Sequence, residues 1–145
     1  MDPEDRITDM MQALTANDMN KVAAYLTDDF TCQTGHTKLN KRDFLGVMGG
    51  LMSALQPRAF NLYDAQTNGS QVQFTAKLDG TFVNALQVPI ANNPSAKPNN
   101  QDLDVPESRW TYTLNGDKVS SILIADTPGG NLADIFKQLG VTVNL

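Results

Sequence analysis

The sequence is short of the residues that build disulfides, metal centres and nucleic-acid grooves. Cys32 and His36 are its single cysteine and single histidine. One cysteine excludes an internal disulfide, and one thiol with one imidazole falls short of the four ligands of a structural zinc site. Lys and Arg number 11 against 16 Asp and Glu, and the formal net charge is -5. No basic cluster is longer than Lys41-Arg42, so the positive field that gathers phosphate backbones is missing. No apolar run approaches the roughly 18 to 20 residues that cross a bilayer, and the first residues are acidic rather than a basic and then apolar leader. These shortages argue for a soluble cytoplasmic protein, with neither nucleic acid nor membrane as partner, and Cys32 fits a reducing compartment.

What is present is a clear change of period. Asp2-Pro3-Glu4-Asp5 combines a capping oxygen, a first-turn proline and acids at the positive end of a helix dipole. Ile7, Met10, Met11 and Leu14 follow at i, i+3, i+4, i+7, which predicts an amphipathic first helix. Asn17 or Asp18 restarts the chain, and Met19, Val22, Ala23 and Leu26 predict a second helix reaching Asp28-Asp29. After an extended stretch from Phe30 to Lys38, Asn40 caps a third helix with Phe44, Leu45, Met48, Leu51, Met52 and Leu55 on its apolar face and Pro57 at its end. Gly49 and Gly50 sit inside that helix at about 1 kcal/mol each relative to alanine, which a close backbone approach would explain.

From Arg58 onward the period is two. Phe60 to Ala65 and the alternation Val72, Phe74, Ala76, Leu78 are joined at Asn68-Gly69; Trp110, Tyr112, Leu114 and then Val119 to Asp126 are joined at Asn115-Gly116. Two Asn-Gly hairpins predict an antiparallel meander. Between them Ala91 to Asp102, rich in Asn and Pro, predicts a long rim loop that serves as a lid or stays solvated. Asn131 caps a last helix with Leu132, Ile135, Phe136 and Leu139 as its stripe and Gly140 as its stop. No linker or repeat divides the chain, so residues 1–145 are one domain that buries roughly two thirds of its unfolded surface.

Several local sequences resemble one family in order and spacing. Tyr25-Leu26-Thr27-Asp28-Asp29-Phe30, Asp79-Gly80-Thr81, Val88-Pro89, Val105-Pro106, Asn115-Gly116-Asp117-Lys118-Val119, Ile124-Ala125-Asp126 and Phe136-Lys137-Gln138-Leu139-Gly140 resemble the marks of the SnoaL-like polyketide cyclase branch of the nuclear transport factor 2-like (NTF2-like) superfamily, from about Ile7 to Val141. The resemblance implies an α+β cone: a strongly curved, mostly antiparallel sheet wrapped by three N-terminal helices and a short C-terminal helix around one pocket. It also implies a homodimer formed through the sheet and chemistry with no cofactor and no metal. Members include cyclases that close polyketide rings by an intramolecular aldol step, and the fold alone does not fix the activity.

An aldol closure needs a base beside a carbonyl-bearing carbon, and a carboxylate in an apolar pocket suits it. Asp126 matches the acid/base position of the resembling cyclases and by alternation shares the face of Ile122 and Ile124. As the residue before Thr127-Pro128-Gly129-Gly130 it equally fits a turn-opening aspartate that bonds backbone amides. His36 could share its proton, or stand in a surface turn after Gly35. Cys32 has no basic neighbour in sequence and reads as a buried thiol. Trp110, Tyr63, Phe74, Met48 and Met52, with Cys32, are the candidates to line a cavity for a flat apolar ligand, or else plain core; Arg109, opposite Trp110 in the alternation, faces solvent or a partner subunit. Steroid isomerisation needs a tyrosine and an aspartate where this chain aligns Met10 and Thr34. Two readings remain: a binder of a small carbonyl-bearing molecule, with cofactor-independent aldol-cyclase or isomerase-type chemistry as its finer form, and a noncatalytic ligand-binding or dimerising scaffold.

Overall fold

The computed structural model describes residues 2–90 and 93–143. Asp2 caps α1 (Pro3–Thr15) by accepting from the Asp5 amide at 2.8 Å, and Ile7, Met10, Met11 and Leu14 are all buried, as their spacing predicts. Asp18 caps α2 (Met19–Tyr25). This helix stops short of the predicted Asp28-Asp29, because the chain straightens at Leu26 into β1 (Leu26–Thr34), where Leu26 pairs with Val119 far along the sequence. A long-range pairing here overrides the local helical spacing. β2 (Thr37–Asn40) folds back on β1, and Asn40 accepts from the Asp43 amide to start α3 (Lys41–Ala54).

α3 ends at Ala54, before the expected stop at Pro57, which lies instead inside β3 (Leu55–Asn68). A proline without an N–H is tolerated there because β3 is an edge strand. The hairpins at Asn68-Gly69 and Asn115-Gly116 are both present, joining β3 to β4 (Gln71–Phe82) and β7 (Ser108–Asn115) to β8 (Lys118–Ile124). The short strands β5 (Leu86–Gln87) and β6 (Ser95–Ala96) pair with each other between them. The chain closes with α4 (Leu132–Gln138).

The main sheet runs β2-β1-β8-β7-β4-β3, antiparallel except where β1 lies parallel to β8. Register shifts interrupt β1 against β8, β3 against β4 and β7 against β8. Such irregularities bend strands and raise their twist, and the sheet is curved and accompanied by four helices. Together these features form the α+β architecture that the resemblance implied.

The close approach inferred at the paired glycines is found. A Cβ on Gly50 would stand 2.3 Å from the Gln87 carbonyl oxygen, so only a residue without one lets the β5 backbone lie on α3. The rim segment is tied down along much of its length. Asn100 and Phe82 exchange backbone bonds with each other's neighbourhood, Asn100 N to Phe82 O at 2.8 Å and Phe82 N to Gln101 O at 3.0 Å. Leu103 N donates to Gly80 O, and Thr81 Oγ1 donates to Asp102 at 2.6 Å. Ala91 and Asn92 of the predicted loop lie outside the described residues. Among the described residues no helix is long and apolar enough to cross a membrane.

Candidate functional site

Alternation in the strands puts Trp110, Tyr112, Phe74, Cys32, Ile122 and Ile124 on the inner face, opposite Met48 and Met52 of α3. These side chains are 0–6% exposed. A wall facing a void large enough for a ligand stays accessible to water, so the cone interior is filled by its own side chains. Of the predicted lining residues, Trp110, Phe74, Met48, Met52 and Cys32 come together in that core. Tyr63 does not: it has the opposite parity to Phe60 and Leu62, pairs with Thr75, and stands 38% exposed on the outer face. Leu123 is exposed on the same outer face. Arg109, also there, donates through Nη1 to the Asp64 carbonyl at 2.6 Å and to Thr75 Oγ1 at 2.9 Å.

Cys32, Ile122, Tyr112 and Val72 occupy one register row across β1, β8, β7 and β4. Burial pushes the Cys32 thiol up to about 12, and it pushes the Tyr112 phenol well above its usual range, with the neighbouring Cys32 adding to the shift. Both are therefore neutral, and Cys32 holds a protonated, unreactive thiol.

Asp126 lies two residues beyond the last residue of β8, exposed, and its Oδ1 accepts from Asn131 Nδ2 at 2.7 Å. Asn131 in turn accepts from the Thr127 amide, and Asp134 accepts from the Gly129 and Asn131 amides. The carboxylate thus belongs to the network that shapes the turn into α4. His36 is exposed in the β1–β2 turn. Because Thr34 pairs with Ile124 in parallel strands, His36 and Asp126 leave the sheet at the same end, yet no hydrogen bond joins them among the described residues. Also among the described residues, no three His, Cys, Asp or Glu side chains gather to hold a metal ion.

An opening with an apolar floor lies elsewhere, between α1 and the edge strand β3. A cleft of about 470 Å³ is lined by Thr8, Met11, Gln12 and Thr15 on one side and by Arg58, Phe60, Asn61 and Leu62 on the other. Its floor is apolar: Met11 is buried, Phe60 and Leu62 are half-buried against the core, and Phe60 meets Trp110 edge-on with centroids 5.4 Å apart. Both ends are clasped. Thr67 Oγ1 donates to Glu4 in the first turn of α1 at 2.6 Å, and Arg58 Nε donates to the Thr15 carbonyl at its last turn, also at 2.6 Å. A guanidinium at the carbonyl end of a helix is favoured by the dipole, and α1 has no basic residue of its own there. Arg58 and Ala59 also border a second cleft of about 380 Å³, whose far wall includes Asp79, Thr81, Asp102 and Leu103. The one signal of this site in the residues themselves is the alternation of Phe60 and Leu62 along β3.

No family model matches the chain, and no curated protein matches it. Solved structures do. A candidate hydroxylase from Streptomyces galilaeus aligns with a TM-score of 0.72 at 12% identity, over 94% of each chain. A candidate polyketide cyclase from Streptomyces antibioticus gives 0.68 at 13% identity, over 97% of this chain and 100% of that one. An NTF2-like protein of unknown function from Cytophaga hutchinsonii gives 0.62 at 12% identity, over 88% and 92%. The chain has the NTF2-like fold.

Proposed function

With the NTF2-like fold as premise, we propose that this is a SnoaL-like protein that binds a small, mostly apolar, carbonyl-bearing molecule at the cleft between α1 and β3, without turning it over. The observation that carries the reading is the cleft itself. It offers an apolar floor of Met11, Phe60 and Leu62 beneath polar side chains of Thr8, Gln12 and Asn61, which is the usual make-up of a ligand site. The solved structures described as a cyclase and a hydroxylase supply the analogy for a small organic ligand. Asp126, exposed and bonded to Asn131, is given a structural role rather than that of an acid/base.

A thermal-shift screen of flat aromatic ketones tests this, because a ligand that binds only the folded state raises its melting temperature. Wild type and Asp126→Asn are expected to respond alike, and Leu62→Asp, which sets a carboxylate on the cleft floor, to lose the response. Turnover by wild type that Asp126→Asn abolishes would restore the cyclase reading.

A second reading, a dimerising scaffold, draws on the filled interior and on Tyr63 and Leu123 exposed on one sheet face. It expects no ligand response from any compound and a dimer that Leu123→Lys dissociates, measured by sedimentation.

A further inference from the structure

Among the residues that line the cleft between α1 and β3, Arg58 alone is ionised; Thr8, Gln12, Thr15 and Asn61 supply neutral polar groups. The guanidinium is half-buried, and among the described residues no carboxylate oxygen lies within 4.0 Å of it. Its partners are all neutral. Nε donates to the Thr15 carbonyl at 2.6 Å, and Nη1 to the Leu55 carbonyl at 3.0 Å and to Gln56 Oε1 at 3.4 Å. Nε and Nη1 are thereby used, whereas both N–H bonds of Nη2 have no partner among the described residues.

Holding the end of α1 does not use the whole fork. Nε and Nη1 already answer the carbonyls of Thr15 and Leu55, which meets the negative end of the helix dipole before any ligand arrives. A positive charge drawn half out of water and faced only with neutral oxygens is stabilised further by an anion. The planar guanidinium is also the side chain best shaped for a carboxylate. The strand then sets the spacing. Arg58, Phe60 and Leu62 share one parity of β3, so the Cα atoms of the two apolar residues stand roughly 7 and 13 Å from that of Arg58. The neighbouring cleft, which Arg58 also borders, carries Asp79 and Asp102, and these disfavour an anion on that side.

We propose that Arg58 is the anion-recognising residue of the cleft and that the ligand is a flat apolar carboxylate: its body lies on Met11, Phe60 and Leu62, and a carboxylate oxygen accepts a hydrogen bond from Arg58 Nη2. The proposal rests on the ligand-binding reading above and narrows its carbonyl-bearing molecule to a carboxylate. It also gives the half-buried charge the counter-charge that the protein itself does not supply.

Wild type, Arg58→Gln and Arg58→Lys are titrated calorimetrically near neutral pH with three probes of one outline: 2-naphthoate, 2-acetylnaphthalene and 2-(aminomethyl)naphthalene, which are anionic, neutral and cationic. Wild type is expected to bind the naphthoate roughly tenfold more tightly than the ketone, the worth of a charge-assisted hydrogen bond, and the amine most weakly. Arg58→Gln is expected to bind naphthoate and ketone alike. Arg58→Lys, which keeps the charge without the fork, is expected to keep a smaller preference, so the residue is tested even where Arg58→Gln does not fold. A wild type that binds the ketone as tightly as the naphthoate overturns the anion site while leaving the cleft reading intact. A preference for naphthoate that either variant retains in full overturns it too, because the selection then comes from another group. If none of the probes binds wild type, the anion site and the ligand-binding reading fall together.

Discussion

On one flank of the sheet α3 presses Phe44, Val47, Met48, Leu51 and Met52 against β1, and accepts the β5 backbone directly on Gly50. On the other flank α1 is held to β3 by polar clasps at its two ends, Glu4 with Thr67 and the Thr15 carbonyl with Arg58, and a cleft remains between them. The first contact is apolar and carries no such cleft among those described; the second has polar bonds at its two ends and a cleft between them, beside the buried stripe of Ile7, Met10, Met11 and Leu14. One sheet thereby carries a closed wall and an accessible one. The difference arises from the strands beneath: β1 is flanked by β2 and β8, whereas β3 is an edge with a single neighbour.

Breaking the closed flank should have the largest effect. Phe44→Ala, which removes a ring packed 5.1 Å from Phe30, is expected to cost about 3–5 kcal/mol, against about 1 kcal/mol for Leu62→Ala on the open flank. Urea denaturation of both variants checks this, and equal losses would erase the distinction between the flanks. The next effect sharpens it within a single helix. Gly50→Ala should destabilise by about 1–3 kcal/mol because its methyl meets backbone. Gly49→Ala, whose nearest neighbour is Met19 Cγ at 3.4 Å, should be neutral or gain up to about 1 kcal/mol of helix propensity.

The smallest effect concerns a contact on neither flank. The hydrogen bond donated by the Tyr25 phenol, aided by Lys21, holds the Asp9 carboxyl below its ordinary value of 3.8. A depressed carboxylate adds stability that is present above that ordinary value and is lost as pH falls below it. Asp9→Asn should therefore melt slightly below wild type near neutral pH, with the gap closing as the pH drops through the acid range. Parallel melting curves at every pH would remove this pairing from the account.

Much of the fold could be read from the residues themselves. Caps at Asp2, Asp18 and Asn40 and the two Asn-Gly turns act over a few residues, so local chemistry fixes them. The end of α2 was misplaced because Leu26 answers to Val119, a partner that no window of sequence contains. Pro57 was misplaced because whether proline ends a helix or sits in a strand depends on whether that strand is an edge. The site was less legible for the same reason. Parity assigned Asp126 to the face of Ile122 and Ile124, but parity holds only while the strand lasts, and β8 ends at Ile124. Tyr63 was grouped with Trp110 by type, although its parity relative to Phe60 already placed it on the other side. The cleft joins residues from the two ends of a long stretch of chain, α1 and β3, which only the folded sheet brings together.

The parallel pairing of β1 with β8 has a consequence for the making of the protein. A ribosome releases α1, α2, β1, β2 and α3 early, with one edge of β1 covered by β2 and the other bare until residues 118–124 emerge. At cellular synthesis rates that interval is on the order of ten seconds. During it the backbone edge of β1 that β8 will pair is open to other nascent chains. The nascent chain would thus depend on chaperone cover until β8 arrives, and a copy cut short before β8 would keep that edge bare permanently and aggregate rather than linger as a folded fragment.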